Sequence, residues 1–127
     1  MERFVRPAGA PPVNGYSHAV ACAGTIVAVS GQVPVDADGA VVGIDDPERQ
    51  MRQVFHNLGV ALAAAGSGFD RLLRITVYLT DLADLAVFRQ VRDEHLDPAE
   101  LPASSLVQVA GLVNPAFRVE IDALAAR

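Results

Sequence analysis

Two adjacent serines are the first residues of the sequence whose types and position could carry chemistry. Ser104 and Ser105 follow a Pro-Ala pair and precede an apolar stretch, in the segment ELPASSLVQVAGL at 100–112. A serine hydroxyl becomes a nucleophile when a neighbouring base takes its proton. The chain has no G-x-S-x-G motif, and no base can be assigned to either serine from the sequence. Covalent serine catalysis is therefore the less favoured interpretation, and a hydrogen-bonding role or the start of a strand stays open.

The other nucleophilic and metal-binding side chains are scattered along the chain. The three histidines, His18, His56 and His95, do not have the spacing of a metal site. The single cysteine, Cys22, cannot form an internal disulfide or a cysteine-based metal site, and its small apolar neighbours favour a packing role. The sequence therefore predicts no metal and no other cofactor.

The charge composition argues against several classes of partner and chemistry. All ten basic residues are arginines, so a lysine Schiff base, including that of pyridoxal phosphate, cannot form. The formal net charge is −5 and the arginines form no run, which argues against a nucleic-acid-binding surface. The apolar runs are shorter than a membrane span, and the N-terminus lacks the apolar region of a secretory signal. We therefore expect a cytoplasmic protein that binds neither nucleic acid nor a membrane.

Two helices are predicted to position the polar residues. Asp46 is a suitable N-cap and Pro47 a suitable first residue for a helix that stops at Gly66. Asp84 can cap a second helix, which ends near Pro98. Apolar residues recur at helical spacing in both, at Met51, Val54, Phe55, Leu58, Ala61, Leu62 and Ala65 in the first and at Leu85, Phe88, Val91 and Leu96 in the second.

Strand patterns flank these helices. Strands are predicted at 17–35, where a turn at Ala23-Gly24 separates two of them, and at 71–81, 105–110 and 117–125. In the 71–81 segment, one side is expected to carry Leu73, Ile75, Val77 and Leu79, and the other Arg74, Thr76 and Tyr78. The order strand, strand, helix, strand, helix, strand, strand predicts an α+β fold. A single domain, 1–127, would place both helices on one face of a mixed sheet.

The sheet face away from the helices is expected to mix polar and apolar side chains. In the last strand, polar residues alternate with apolar ones, and in the strand before it three residues share one side, Ser104, Leu106 and Gln108. A solvated face would have this composition, and so would a subunit interface that carries a pocket. The residues alone leave both alternatives open.

Six short segments share their order and spacing with one protein family. They are NGYSHAV (14–20), VSGQVP (29–34), QVFHNLGVALAAAG (53–66), RITVYLTDLADL (74–85), LPAS (101–104) and VEIDALA (119–125). In these segments the chain resembles the RidA family, the YjgF-like reactive intermediate deaminases that are also labelled L-PSP endoribonucleases. The resemblance covers nearly the whole chain. It implies a chorismate-mutase-like fold, a homotrimer, and pockets for a small-molecule ligand in the clefts between neighbouring subunits.

The serine pair is a departure from that family. Deaminating members carry Pro-Ala-Arg-Ser where this chain has Pro-Ala-Ser104-Ser105, and the arginine binds the carboxylate of an imine or enamine. Serine is uncharged and too short to hold a carboxylate through two parallel bonds. Each bond lost to a charged group costs about 1.5–3 kcal/mol. The standard deaminase reaction is therefore expected to be weak, or the substrate to differ.

The resemblance also implies the other residues of the site. Glu120 matches a pocket glutamate that is thought to position the attacking water, and the alternative is a salt bridge with Arg118 or Arg74. Tyr16 matches an aromatic residue at the pocket mouth, and packing under a loop is the alternative. Glu120 and Tyr16 are thus the candidate catalytic residues. The candidate substrate-binding residues are Ser30, Gly31, Arg89, Ser104, Ser105 and Leu106.

Arg89 is a second departure, because the family commonly has an uncharged residue at this helix position. It could restore the positive charge absent at position 104, but its neighbours Arg92 and Asp93 favour a solvated charged face.

Two functions follow from these observations. One is a hydrolase of imines or enamines that does not rely on the usual arginine, and the other is a non-hydrolytic ligand-binding or pathway accessory protein. Endoribonuclease activity is less favoured, because the chain is acidic and lacks lysine.

Overall fold

Six strands and two α-helices form in the order that the sequence predicts, with one strand added at the N-terminus. The computed structural model describes residues 1–127, and its elements are β1 (Glu2–Phe4), β2 (Ala19–Ala21), β3 (Ile26–Gln32), α1 (Pro47–Ala64), β4 (Leu72–Leu79), α2 (Leu85–His95), β5 (Ala103–Gln108) and β6 (Val119–Ala126). Single-turn 3-10 helices at Phe69–Arg71 and Leu82–Asp84 precede β4 and α2. The expected α+β architecture, with two helices and a mixed sheet, is confirmed.

The main sheet has the strand order β3-β6-β4-β5. Strand β6 runs antiparallel to both β3 and β4, whereas β5 runs parallel to β4. A parallel pair requires a crossover connection, and α2 lies in that connection between β4 and β5. Both helices pack on the same face of this sheet, which we call the helix face, and the opposite face is called the open face.

Two strands, β2 and β3, form on either side of Ala23-Gly24 as expected, but they do not pair with each other. Strand β2 pairs with β1, and β3 pairs with β6. The guanidinium of Arg3 ties the small β1–β2 sheet to the rest of the domain, since it donates to the carbonyl oxygens of Asp70, Leu72 and Leu101 at 2.7, 3.1 and 3.0 Å. Three charge-assisted bonds to distant backbone therefore hold a strand that no local pattern indicated.

The boundaries of α1 are those that its capping residues predict. Asp46 accepts a hydrogen bond from the backbone of Arg49 at 3.1 Å, and Pro47 is the first helical residue. At the other end Gly66 has a φ of +72°, and the amides of Gly66 and Ser67 donate to carbonyls of the last turn. This pattern is a Schellman motif, which ends the helix where the glycine permits a left-handed residue. No helix in the structure combines the length and the hydrophobicity that crossing a bilayer would require.

Asp84 precedes α2 as expected, but its carboxylate does not cap the helix. Both of its oxygens instead accept bonds from the Arg118 guanidinium, at 2.8 and 3.0 Å. A bidentate, charge-assisted pair is stronger than a single bond from a neutral amide, so the ion pair displaces the cap.

The hydrophobic core lies between the two helices and the helix face. Phe55 is fully buried and stacks on His95, with ring centroids 4.8 Å apart. In β4 the alternation agrees with the expectation from Ile75 onward, but the expectation that Leu73 shares the side of Ile75 is wrong. Leu72 is fully buried instead, because the pairing with β6 shifts register between Leu72 and Arg74.

Candidate functional site

The parallel pairing of β4 with β5 decides which way each serine points. Ser104 pairs with Ile75 and Leu106 with Val77, and both partners are buried under the helices. Paired residues of neighbouring strands project to the same face. Ser104 and Leu106 therefore lie on the helix face, and the expectation that they belong to the face away from the helices is wrong. Ser105 lies on the open face, where its hydroxyl accepts a hydrogen bond from Arg74 at 2.9 Å.

A cavity of about 240 Å³ lies between α2, β5 and the loop that precedes β2. We call it the α2 cavity. It brings together four of the residues that the sequence suggested for the site, and it is lined by Asn14, Tyr16, Leu85, Arg89, Arg92, Ser104 and Leu106. The cavity thus combines one phenol, one alcohol and two guanidinium groups with two leucine side chains, which is a composition that suits a small polar ligand with an apolar part.

Arg92 fixes the loop that carries Tyr16. Its guanidinium donates to the backbone oxygen and to Oδ1 of Asn14 at 3.1 and 3.2 Å, and to Asp93 at 2.9 Å. Gly15 has a φ of +71°, and a Cβ at this position would lie 2.1 Å from Arg92 Cζ. Only glycine allows this approach of loop and guanidinium. Arg92 is 5% exposed, so its assignment to a solvated charged face is wrong.

Backbone and hydroxyl bonds hold the same loop against β5. Ser17 is buried, its hydroxyl donates to the carbonyl of Leu101 at 2.6 Å, and its amide donates to the carbonyl of Pro102 at 2.8 Å. The ring of Tyr16 packs edge-on against His18, with centroids 5.8 Å apart. Tyr16 is therefore held beside the Pro-Ala-Ser104 segment, because Arg92 binds Asn14 on its N-terminal side and the residues that lead into β5 bind Ser17, the next residue.

Arg89 lines the α2 cavity from the helix side, and its side chain is exposed. None of the ion pairs in the structure includes Arg89, and its guanidinium makes no hydrogen bond. It differs in this respect from Arg92, one helical turn further on, each of whose three guanidinium nitrogens donates to a protein acceptor.

Glu120 lies on the open face, together with the end of β3. It alternates with Val119 and Ile121, which are fully buried on the helix face. Its carboxylate lies against Gly31, where a Cβ would come within 2.7 Å of Oε2. Ser30 and Gly31 are exposed at an irregularity in the β3–β6 pairing. We call Ser30, Gly31 and Glu120 the Glu120 group.

The alternative of a salt bridge at Glu120 is wrong. Arg118 binds Asp84, and Arg74 donates to Ser105. The carboxylate of Glu120 forms no ion pair and no side-chain hydrogen bond, so it remains available to water or to a ligand.

Tyr78 and Asp122 form a second polar contact on the open face, which the sequence patterns did not indicate. The Tyr78 hydroxyl donates to Asp122 Oδ2 at 2.9 Å. This hydrogen bond, with lesser contributions from partial burial and from the negative charges of Asp122 and Glu120, raises the pKa of Tyr78. Two strands must be paired before the contact exists, because the residues are 44 positions apart.

The candidate residues of one chain thus fall into two separate groups. Tyr16, Arg89, Ser104 and Leu106 line the α2 cavity, whereas Ser30, Gly31, Ser105 and Glu120 lie on the open face. Ser104 and Glu120 therefore do not face each other within a single chain. The physical reason is strand alternation, which directs the two side chains to opposite sides of the sheet.

No cluster of three or more histidine, cysteine, aspartate and glutamate side chains is arranged to hold a metal ion. His18 forms a hydrogen bond with the carbonyl of Pro11 at 2.9 Å, and His95 forms one with the carbonyl of Val91 at 2.8 Å. Cys22 is half-buried and unpaired.

Comparison with known proteins identifies relatives along nearly the whole chain. Residues 7–127 match the family model described as Endoribonuclease L-PSP. The RutC family protein slr0709 of Synechocystis sp. is 35% identical, over 97% of this chain and 95% of that protein. The 3-aminoacrylate deaminase RutC of Acinetobacter baylyi is 34% identical, over 98% of this chain and 97% of that protein.

Solved structures agree with these sequence matches. The crystal structure of YyfB from Yersinia pestis, of the conserved Rid protein family, superposes with a TM-score of 0.87 at 32% identity and covers 98% of both chains. RidA from the Antarctic bacterium Psychrobacter sp. superposes with a TM-score of 0.75 at 32% identity, over 99% of this chain and 100% of that chain. The six sequence segments, the α+β fold and these relatives agree, and the chain belongs to the RidA (YjgF) family of reactive intermediate deaminases, the family that the L-PSP model describes.

Proposed function

We propose that this protein hydrolyses the C–N bond of a small imine or enamine, at a site that two neighbouring copies of the chain complete. Relatives support the reaction class, since one is named 3-aminoacrylate deaminase RutC and another a putative reactive intermediate deaminase TdcF, from Escherichia coli, at 33% identity. The family resemblance supports a homotrimer with a chorismate-mutase-like fold and with ligand clefts between its subunits.

The single observation that carries the reaction is the unpartnered carboxylate of Glu120 beside Gly31. A carboxylate in this position can accept a proton from water as the water oxygen adds to the imine carbon. The carboxyl returns this proton to the nitrogen, which gives a neutral carbinolamine. The C–N bond then breaks as the hydroxyl oxygen forms the carbonyl double bond. The hydroxyl proton passes through the carboxylate to the nitrogen, which leaves as ammonia. Proton transfer by a positioned side chain contributes about 10²–10⁴-fold to such a reaction.

The division of the candidate residues supports a site shared between copies. The Glu120 group lies on the open face, whereas Tyr16, Ser104 and Leu106 line the α2 cavity on the other side of the sheet. A second copy that places its Glu120 group at the mouth of the α2 cavity would bring both groups to one ligand. In the closed ring of a homotrimer, each interface would then hold one complete site.

Ser104 limits the substrates that such a site can use. It offers one neutral hydroxyl where deaminating relatives carry an arginine, so a short 2-imino acid loses its bidentate anchor from β5. We therefore propose weak hydrolysis of 2-iminopropionate and a preference for a different imine or enamine.

A non-hydrolytic ligand-binding or accessory role is the second candidate. The same replacement at Ser104 favours it, because a pocket can keep its fold and its cavity after losing the group that anchors the family substrate. Endoribonuclease activity has less support, since the net charge of −5 repels a polyanion.

Ammonia release distinguishes the two candidates. The wild-type protein and Glu120→Gln are assayed with 2-iminopropionate and with longer imines, generated in place from the parent amino acids by an amino-acid oxidase. Glu100→Gln, which removes an exposed carboxylate outside both groups, is the matched control. The hydrolase proposal predicts that the glutamine variant at position 120 loses about a hundredfold or more in rate while the control keeps its rate. Ammonia release that Glu120→Gln leaves unchanged would favour the accessory role.

A further inference from the structure

We propose that Arg89 is the anion anchor of the α2 cavity, and that the molecule bound there carries a carboxylate. This inference rests on the proposed function for the identity of the site, and it adds the chemical class of the ligand. The anchor would project from helix α2, instead of from strand β5 where the family arginine stands.

The first argument is the difference between the two arginines of the cavity. Arg92 is 5% exposed and directs its donors at Asn14 and Asp93, so it is already satisfied by the protein. Arg89 lines the same cavity with no hydrogen bond and no ion pair. Of the two guanidinium groups at the cavity, only that of Arg89 has all of its donors available to a ligand.

The second argument is the charge balance of the cavity wall. Seven residues line the cavity, and none of them is an aspartate or a glutamate. The two aspartates at the start and in the last turns of α2 have other partners, since Asp84 binds Arg118 and Asp93 binds Arg92. The charge of Arg89 is therefore uncompensated, and a bound anion would supply the missing partner.

The third argument concerns the kind of anion. A single available guanidinium matches the two coplanar oxygens and single charge of a carboxylate, whereas a phosphate dianion would leave further oxygens to be satisfied. Leu85 and Leu106 line the same small cavity and provide apolar contact for a carbon chain. Tyr16, Asn14 and Ser104 supply neutral polar groups for the rest of the ligand.

This placement also agrees with weak hydrolysis of 2-iminopropionate. Arg89 and Ser104 line the cavity from different elements, α2 and β5. A carboxylate held by α2 places the adjacent carbon differently from a carboxylate held by β5. A short substrate that suits one anchor therefore fits the other poorly, and the ligand would be a carboxylate with a longer or differently spaced chain.

Ligand binding, measured by calorimetry, tests the anchor without requiring catalysis. The probes are 4-methyl-2-oxopentanoate, its neutral amide, and inorganic phosphate. The proteins are the wild type, Arg89→Gln, Arg89→Lys, and Arg49→Gln as a matched control. Arg49 is another exposed arginine in a helix, it forms no ion pair, and it lies outside the cavity.

We expect the oxo acid to bind the wild type at least tenfold more tightly than the amide. Arg89→Gln should weaken binding of the oxo acid by about ten- to a hundredfold, with Arg89→Lys between the two, because a charge is lost in the first case and only the bidentate geometry in the second. Arg49→Gln should bind like the wild type. Because Arg89 is exposed, folding of its variants is checked by circular dichroism and by oligomeric state.

Equal binding of the oxo acid by the wild type and Arg89→Gln would overturn the anchor, and tighter binding of phosphate than of either organic probe would overturn the carboxylate. The proposed hydrolysis is tested separately by the ammonia assay. It is wrong if no ammonia release that depends on Glu120 is detected. A carboxylate that binds through Arg89 without ammonia release would leave the anchor standing and favour the accessory role.

Discussion

Ser104 and Glu120 project from opposite faces of one four-stranded sheet. Ser104 pairs with Ile75 of the buried helix face, whereas Glu120 pairs with Tyr78 of the open face. The two residues that the family resemblance assigns to one pocket therefore meet only if two copies of the chain associate.

Association into a homotrimer is the first prediction. The open face exposes Ile26 and Leu124 on the same two strands, β3 and β6, that carry the Glu120 group, and burial of apolar area of this kind stabilises an interface. Each interface is expected to bury about 1,200–2,000 Å² in total. Light scattering coupled to size-exclusion chromatography should give three times the mass of the chain, and a stable monomer at micromolar concentration would contradict this.

A substitution at Gly15 tests whether Arg92 constrains the loop that forms one wall of the α2 cavity. Gly15→Ala adds a Cβ in a left-handed backbone conformation, 2.1 Å from Arg92 Cζ, so the guanidinium must move. We expect this overpacking to cost about 1–3 kcal/mol in the free energy of unfolding, measured with urea.

Gly9→Ala is the matched control for that variant. Gly9 has a similar φ of +85°, but a Cβ there meets nothing within 4 Å. Its cost should be only that of the left-handed conformation, about 1 kcal/mol. Equal losses for the two variants would mean that Arg92 does not constrain the loop.

Tyr78 should ionise above the usual tyrosine value of 10.0, because its hydroxyl donates to Asp122 and the negative charges nearby oppose the phenolate. The folded chain keeps this proton at a pH where the unfolded chain has lost it. Stability from the contact is therefore complete below the usual pKa, and it is lost as the pH rises through the raised pKa of the folded state.

Ultraviolet absorbance of tyrosinate follows this ionisation. Tyr78→Phe identifies the signal, and Asp122→Asn should move the Tyr78 midpoint to lower pH. A midpoint that Asp122→Asn leaves in place would show that the hydrogen bond is not its cause.

Ser104→Arg should raise ammonia release from 2-iminopropionate, because a bidentate partner for the carboxylate is restored on β5. We expect a gain of about tenfold or more in kcat/KM. The gain should disappear when Glu120→Ala is added to the same chain. Leu106 shares the helix face and could crowd the longer side chain, at a cost of about 1–3 kcal/mol, so both variants are checked for an intact trimer.

A correctly folded Ser104→Arg variant without any gain would mean that further residues separate this pocket from the deaminases. The accessory role would then be the better account of the protein.

The sequence predicts those features of the fold that depend on near neighbours. Asp46, Pro47 and Gly66 bound α1 as their local chemistry indicates, and the alternation of β4 from Ile75 onward holds. The pairing partners of the strands, in contrast, depend on residues that are far apart in the sequence. Strand β1 is held by Arg3 through carbonyls 67 to 98 residues away, and no local pattern could indicate that contact.

The same distinction applies to the candidate site. Residue identities came from the family resemblance, but the face on which Ser104 lies depends on its parallel register with β4. Burial of Arg92 likewise depends on Asn14, which is 78 residues away in the chain. The charged residues around Arg89 suggested a solvated helix face. A sequence pattern cannot show that Asn14, from a distant loop, accepts hydrogen bonds from Arg92 and buries it.

The most direct test of the shared site is complementation between two inactive variants. Tyr16→Ala removes a wall of the α2 cavity, and Glu120→Gln removes the proton-transfer group of the open face. Each variant alone should lose ammonia release with the best imine substrate. Refolded together in equal amounts, they should recover about a quarter of the wild-type rate, because one interface in four combines two intact halves. Recovery at that level is the predicted result, and a mixture as inactive as its components, in trimers proven to be mixed, would contradict a site built from two copies.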